Sequence, residues 1–133
     1  MLFEGKIKVE RENKKGVLKP VLEHYIIDGV ELFSEAEYKL MQLANGECEV
    51  VAITKSKVRE IVNLKEDDKP FFRAVIVDIF VCDDGTEKET KYPVLVCAED
   101  VNEANKLIDE YMKAGLNDMK LQGITETKIL DVL

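Results

Sequence analysis

Two stretches of the chain carry apolar side chains at helical spacing. In the second half, Ala104, Leu107, Ile108, Tyr111 and Met112 fall at i, i+3, i+4, i+7 and i+8, the single apolar stripe of an amphipathic helix. Asn102 is the expected N-cap and Gly115 the expected terminator. In the first half, Ser34 and Glu37 have capping-box spacing, Phe33 and Tyr38 occupy the hydrophobic-staple positions, and Gly46 is placed to stop the helix. A hairpin precedes each helix. Residues 6–11 return through Lys14-Lys15-Gly16 to residues 21–27, and residues 73–82 return through Asp83-Asp84-Gly85 to residues 91–97. A closing strand follows each helix, within residues 50–61 and 121–132.

These elements repeat. Tyr25-Ile26-Ile27 matches Val94-Leu95-Val96, at a period of about 69 residues. Ile53-Thr54-Lys55-Ser56-Lys57-Val58 likewise matches Ile124-Thr125-Glu126-Thr127-Lys128-Ile129, and duplication is the simplest origin. The expected fold class is therefore α+β: two ββαβ pseudo-repeats, a mainly antiparallel sheet and two helices. The first repeat is assigned to residues 1–62, the polar run 63–70 to a linker, and the second repeat to residues 71–133, all within one compact module.

The strand at 71–82 departs from simple alternation. Val75, Val77, Ile79 and Val81 lie on one side and Phe72, Ala74, Ile76, Asp78 and Phe80 on the other, so both sides are mostly apolar. The uninterrupted valine and isoleucine row is assigned to the core. The face carrying Asp78 is assigned to a subunit interface, where a carboxylate finds a partner or water more readily than in a closed core. A homodimer, or another protein partner, is expected there.

Composition narrows the classes. At 133 residues, with 46% hydrophobic and 35% charged, the chain has the balance of one folded globular module. A net charge of -8 gives a field that repels phosphate backbones and anionic lipid, which argues against nucleic-acid binding and membrane association. The sequence begins without a basic segment followed by an apolar stretch, and its longest apolar runs are too short to span a bilayer. Cys48, Cys82 and Cys97 lack C-x-x-C spacing and read as free thiols of a reducing, cytoplasmic compartment.

The candidate chemistry is sparse. His24 is the single histidine, and no nucleophile or ligand neighbours it in sequence. A tetrahedral zinc site would need every soft ligand of the chain, so neither a metal nor another cofactor is expected. The acidic pairs Asp67-Asp68 and Asp83-Asp84 sit in turn-like segments, where solvated turn residues are the simpler reading. Glycine-rich nucleotide loops and the G-x-S-x-G elbow are absent. Lys55, Lys57 and Arg59 form the candidate site for a small anionic ligand.

The chain resembles a family of uncharacterised proteins, a domain of unknown function carried by Bacteroidales gut bacteria and their phages. The marks are the opening strand at residues 3–9, the Phe33-Ser34-Glu35-Ala36-Glu37 helix start, Lys69-Pro70-Phe71-Phe72-Arg73, and the closing residues 126–133. These are packing and capping motifs, so the resemblance implies a phage or mobile-element setting and no particular chemistry. The leading expectation is a non-enzymatic accessory or interaction protein that forms a homo-oligomer. The alternative is a protein that sequesters a small ligand or nucleotide signal at a site between subunits, and an enzyme ranks third.

Overall fold

In the computed structural model, which describes residues 2–115 and 118–133, the chain is an α+β fold with two mainly antiparallel sheets. Among the described residues the order is β1 (Phe3–Glu12), β2 (Leu18–Ile27), α1 (Phe33–Gln42), β3 (Glu49–Lys55), β4 (Glu60–Ile61), β5 (Phe71–Val81), β6 (Glu87–Cys97), α2 (Val101–Lys113), β7 (Asp118–Glu126) and β8 (Ile129–Val132). Two compact units result. The first comprises Met1–Ser56 with Lys128–Leu133, and the second comprises Lys57–Thr127.

In the first unit the strand order is β3-β1-β2-β8, with β8 parallel to β2 and the other pairs antiparallel. The hairpin turn works because Gly16 takes φ +75° and the Asn13 side chain accepts from the backbone N–H of Lys15 and of Val17. Helix α1 covers one face, where Phe3, Ile7, Tyr25, Ile27, Ala36 and Leu40 form the core. The fit is close at Gly5, where an added Cβ would lie 2.5 Å from Leu40 Cδ1.

In the second unit the order is β7-β5-β6-β4, again with one parallel pair, β4 with β6. Gly85, at φ +86°, turns this hairpin. Helix α2 buries Ala104 and Ile108 against Phe72, Ala74, Ile76, Tyr92, Val94 and Val96, with Leu107, Tyr111 and Met112 packed alongside. The apolar stripe read from the sequence is thus the packed face of the helix.

Each closing strand, expected to be continuous, is two strands in different sheets. β3 ends at Lys55 in the first sheet and β4 adds to the second, while β7 ends at Glu126 in the second and β8 adds to the first. A hydroxyl residue makes both breaks. The Ser56 N–H donates to Leu2 O at 2.9 Å, and Thr127 donates to Phe71 O through both its N–H and its Oγ1. Beyond the breaks, Val58 and Ile129 are buried. The repeated [Ser/Thr]-Lys-[Val/Ile] motif therefore marks the exit of a strand from its sheet. The segment 63–70 belongs to the second unit, where Asn63 pairs its side-chain amide with both the N–H and the C=O of Cys97.

Both helix starts lie earlier than the sequence spacing indicates. Glu35, not Glu37, reaches back to accept from the Leu32 N–H at 3.1 Å, and Ser34 lies inside the first turn. For α2 the cap is Asp100, whose Oδ1 accepts from the Glu103 N–H at 2.8 Å, so Asn102 is already helical.

Candidate functional site

The outer half of the first unit's hairpin, beyond the reach of α1, holds the most distinctive surface. Helix α1 has 10 residues, and after it the chain turns through Asn45 and Gly46, both at positive φ, into β3. The short helix leaves the hairpin tip uncovered. A cleft of about 650 Å³ opens there, between Val9, Arg11, Leu18 and Pro20 on one wall and Leu43, Asn45 and Glu47 on the other. Lys8, Glu10, Ala44, Glu49 and the half-buried Cys48 complete its lining.

The charges of this cleft are largely matched. The Arg11 guanidinium binds Glu23 with two bonds, Nε to Oε2 at 3.2 Å and Nη2 to Oε1 at 2.9 Å, and Tyr25 Oη also donates to Glu23 Oε1 at 2.9 Å. Arg11 holds the Glu23 carboxyl below its ordinary range, and Glu23 raises Arg11 in turn. Burial, followed by its bond to Glu23, pushes the Tyr25 phenol up to about 12. Arg11 is therefore already committed to an internal carboxylate, and the three glutamates of the lining oppose an anion.

On the face opposite α1, alternation places Leu18, Pro20, Leu22, His24 and Ile26 of β2 on one side of the sheet. Leu18 is 62% exposed and Leu22 61%. Leu22, Pro20 and Val21 border a shallow groove of about 440 Å³ with Val51 of β3, flanked by Lys8 and Glu49, while Leu18 lines the 650 Å³ cleft. Further along this face, Glu4 joins two partners: Ser56 Oγ donates to its Oε2 at 2.7 Å, and His24 Nε2 lies 3.1 Å from its Oε1. A hydrolytic triad needs the imidazole between hydroxyl and carboxylate. Here the carboxylate stands in the middle and accepts the hydrogen bond of the serine hydroxyl, so the three side chains do not have the order of a triad.

The basic residues singled out from the sequence straddle the boundary of the two units. Lys55 ends β3 in the first unit, whereas Lys57 and Arg59 belong to the second. None of the three lines the 650 Å³ cleft. Arg59 places its guanidinium 4.4 Å from the centroid of the Tyr92 ring and its N–H on Pro93 O, so a structural contact occupies it. Nearby, Tyr111 Oη donates to Glu60 Oε2 at 2.7 Å, and burial followed by that bond raises the Tyr111 phenol.

The proposed interface row on β5 needs correction. Phe72, Ala74 and Ile76 are buried under α2 in the core of their own unit, which removes them from any surface a partner can reach. Asp78 is half-buried, and only Phe80, 54% exposed at the end of the row, is a surface side chain. The valine row assigned to the core is on the opposite face, where Val77 is buried, Val75 and Ile79 are half-buried and Val81 is exposed. Both rows are apolar, so periodicity alone could not choose which one meets the helix.

Asp67-Asp68 and Asp83-Asp84 are exposed turn residues, and Thr86 holds the Asp84 carboxyl below its ordinary range with two bonds. Among the described residues no three His, Cys, Asp or Glu side chains cluster as metal ligands, and no helix is long and apolar enough to cross a membrane. The three cysteines are free thiols. The sequence signal of the hairpin surface is Leu18 and Leu22 in a strand whose counterpart in β6 carries Glu87 and Lys91 at the same positions.

No curated protein and no solved structure matches the chain. A family model described as a domain of unknown function, DUF4494, matches residues 1–133, and the chain belongs to that family.

Proposed function

We propose that the protein is a non-enzymatic accessory or interaction protein that engages a protein partner through the outer half of the first unit's hairpin. One observation carries this reading. Leu18 and Leu22 stand exposed together on a sheet face that no helix covers, with Pro20 between them and Val51 across the groove. Clustered apolar exposure of this kind marks contact surfaces, whereas single exposed leucines are ordinary. The sequence resemblance supports a phage or mobile-element setting, and the free thiols suit the cytoplasm.

A second reading is the sequestration of a small anionic ligand. The 650 Å³ cleft has the volume of a ligand site, and Lys8 and Arg11 line it. It ranks lower because Glu10, Glu47 and Glu49 share the lining and Glu23 already holds Arg11.

Affinity purification of the tagged protein from phage-infected host cells, beside a Leu18→Glu/Leu22→Glu variant, separates the two readings. The interaction reading expects a stoichiometric protein retained by the parent and lost from the variant. A small molecule that co-purifies with both forms, with no protein lost from the variant, would overturn it in favour of sequestration.

A further inference from the structure

We propose that the outer edge of β2 pairs with the same edge of a second copy of this chain, antiparallel and centred on Val21. The proposal rests on the reading of this hairpin as an interaction face and names the partner. Its first support is the backbone. β8 pairs with β2 only at His24, Tyr25 and Ile26. Among the described residues, 18–23 have no ladder partner on that side.

Alternation shows which groups point outward. Ile26 O accepts from Leu133 N–H on the β8 side, so the N–H and C=O groups of Leu22, Pro20 and Leu18 face the same way. The open edge then offers the Leu22 N–H as a donor and the Pro20 C=O as an acceptor. Proline lacks the N–H that would continue a longer ladder, which limits what can pair here.

The second support is self-complementarity. About a two-fold axis at Val21, antiparallel register sets Leu22 N–H against the second copy's Pro20 C=O, and the reverse. The same register sets Lys19 opposite the second copy's Glu23, whose carboxylate already holds Arg11 and Tyr25, so no like charges face each other at either end. Val21 meets itself at the axis, and Leu22 packs beside Pro20. A segment reading Lys-Pro-Val-Leu-Glu is antisymmetric in charge about its centre, which suits pairing with itself.

The third support is the corresponding edge of the second unit. β4 covers β6 only at Val94 and Leu95, and the outer half of β6 is Glu87-Lys88-Glu89-Thr90-Lys91, all exposed. Charges of this kind keep an edge strand from pairing. The β2 edge is less protected: between Lys19 and Glu23 it carries Pro20, Val21 and Leu22, and Pro20 shortens the ladder it can form without charging it.

Light scattering of the full chain over a concentration series up to about 100 μM tests the proposal, because a contact below the standard interface size is a weak one. A dimer is expected, with Leu22→Glu weakening it at least tenfold while circular dichroism and the melting temperature stay unchanged. Under mild oxidation Val21→Cys is expected to form a disulfide dimer. Leu18→Cys is not, because that register holds the two Leu18 positions roughly 20 Å apart. A parent that stays monomeric, a dimer indifferent to Leu22→Glu, or a dimer that Val21→Cys fails to link would each overturn the self-pairing. A monomeric parent would leave the capture of a different protein through this face standing.

Discussion

The two units share strand order, helix placement and a parallel edge strand, yet their outer halves differ in character. In the second unit α2 runs 13 residues, Tyr92, Tyr111, Met112 and Met119 fill the space near its end, and the neighbouring edge of β6 is charged. In the first, α1 runs 10 residues, an Arg11–Glu23–Tyr25 network replaces apolar packing, and the edge of β2 carries exposed leucines. The contrast lies in the edge strands, since Phe80 and Val81 also stand exposed at the end of β5 in the second unit. Shared architecture thus fixes the inner half of each sheet, where the helix needs small and branched residues beneath it, and leaves the outer half free to take a function.

The largest test of this comparison removes residues 129–133. The first unit then loses β8, the buried Ile129, and the bonds of Leu133 to Ile26 and Asp28, while the second unit keeps all of its strands. The loss is on the order of 4 kcal/mol, and the melting temperature should fall by more than about 10 °C. Hydrogen exchange should rise mainly in β1, β2 and α1. Uniform exchange across both units would show that they do not hold separately.

A smaller effect comes from exchanging the inner-core solutions. The register that pairs Phe3 with Ile27 and Phe72 with Val96 makes Gly5 and Ala74 counterparts, under Leu40 and Ile108 respectively. Gly5→Ala drives a methyl into Leu40 and should cost about 1–3 kcal/mol, readable by urea denaturation. Adding Leu40→Ile should recover part of that loss. No recovery would mean the two cores are not equivalent at this position.

Making the second unit's edge resemble the first should have a lesser, associative effect. Glu87 and Lys91 stand where Leu18 and Leu22 stand in β2, so Glu87→Leu/Lys91→Leu should produce species larger than the parent in sedimentation velocity at equal concentration. Unchanged sedimentation would separate edge chemistry from association.

The weakest predicted effect is electrostatic. Glu23, held below its ordinary value of 4.5 by Arg11, contributes stability that is present above that value and lost as pH falls through the lowered one. Arg11→Ala should therefore destabilise the protein near pH 7 by no more than about 1 kcal/mol, with the difference shrinking as the pH falls below 4.5. On the alkaline side, the raised Tyr25 phenol favours the fold below pH 10, and that contribution is lost as pH rises towards about 12. Urea melts of parent and variant across this range read both signs.

Much of this fold was legible in the residues. Gly16 and Gly85 announced the hairpins, and the stripe from Ala104 to Met112 announced α2 and its buried face. The Ile-Thr-x-[Ser/Thr]-Lys motif located the end of each half. That the motif breaks the strand was not legible, because Ser56 and Thr127 end their ladders by bonds to Leu2 and Phe71, distant in sequence. The caps fell two residues earlier than expected because Glu35 accepts from the Leu32 N–H and Asp100 from the Glu103 N–H, so each helix begins before Ser34 and Asn102. The open edge of β2 was hidden for a related reason: it exists only because β8, from the far end of the chain, stops at His24.

Exchange of the Leu22 backbone amide, followed by NMR in dilute and concentrated samples, tests most directly whether the first unit's outer edge is the contact surface. Protection of Leu22 should grow with concentration, while the Glu89 and Lys91 amides, which face outward in β6, exchange fast throughout. Fast exchange at Leu22 at every concentration and in the presence of any captured protein, or protection that rises equally in β6, would contradict the account.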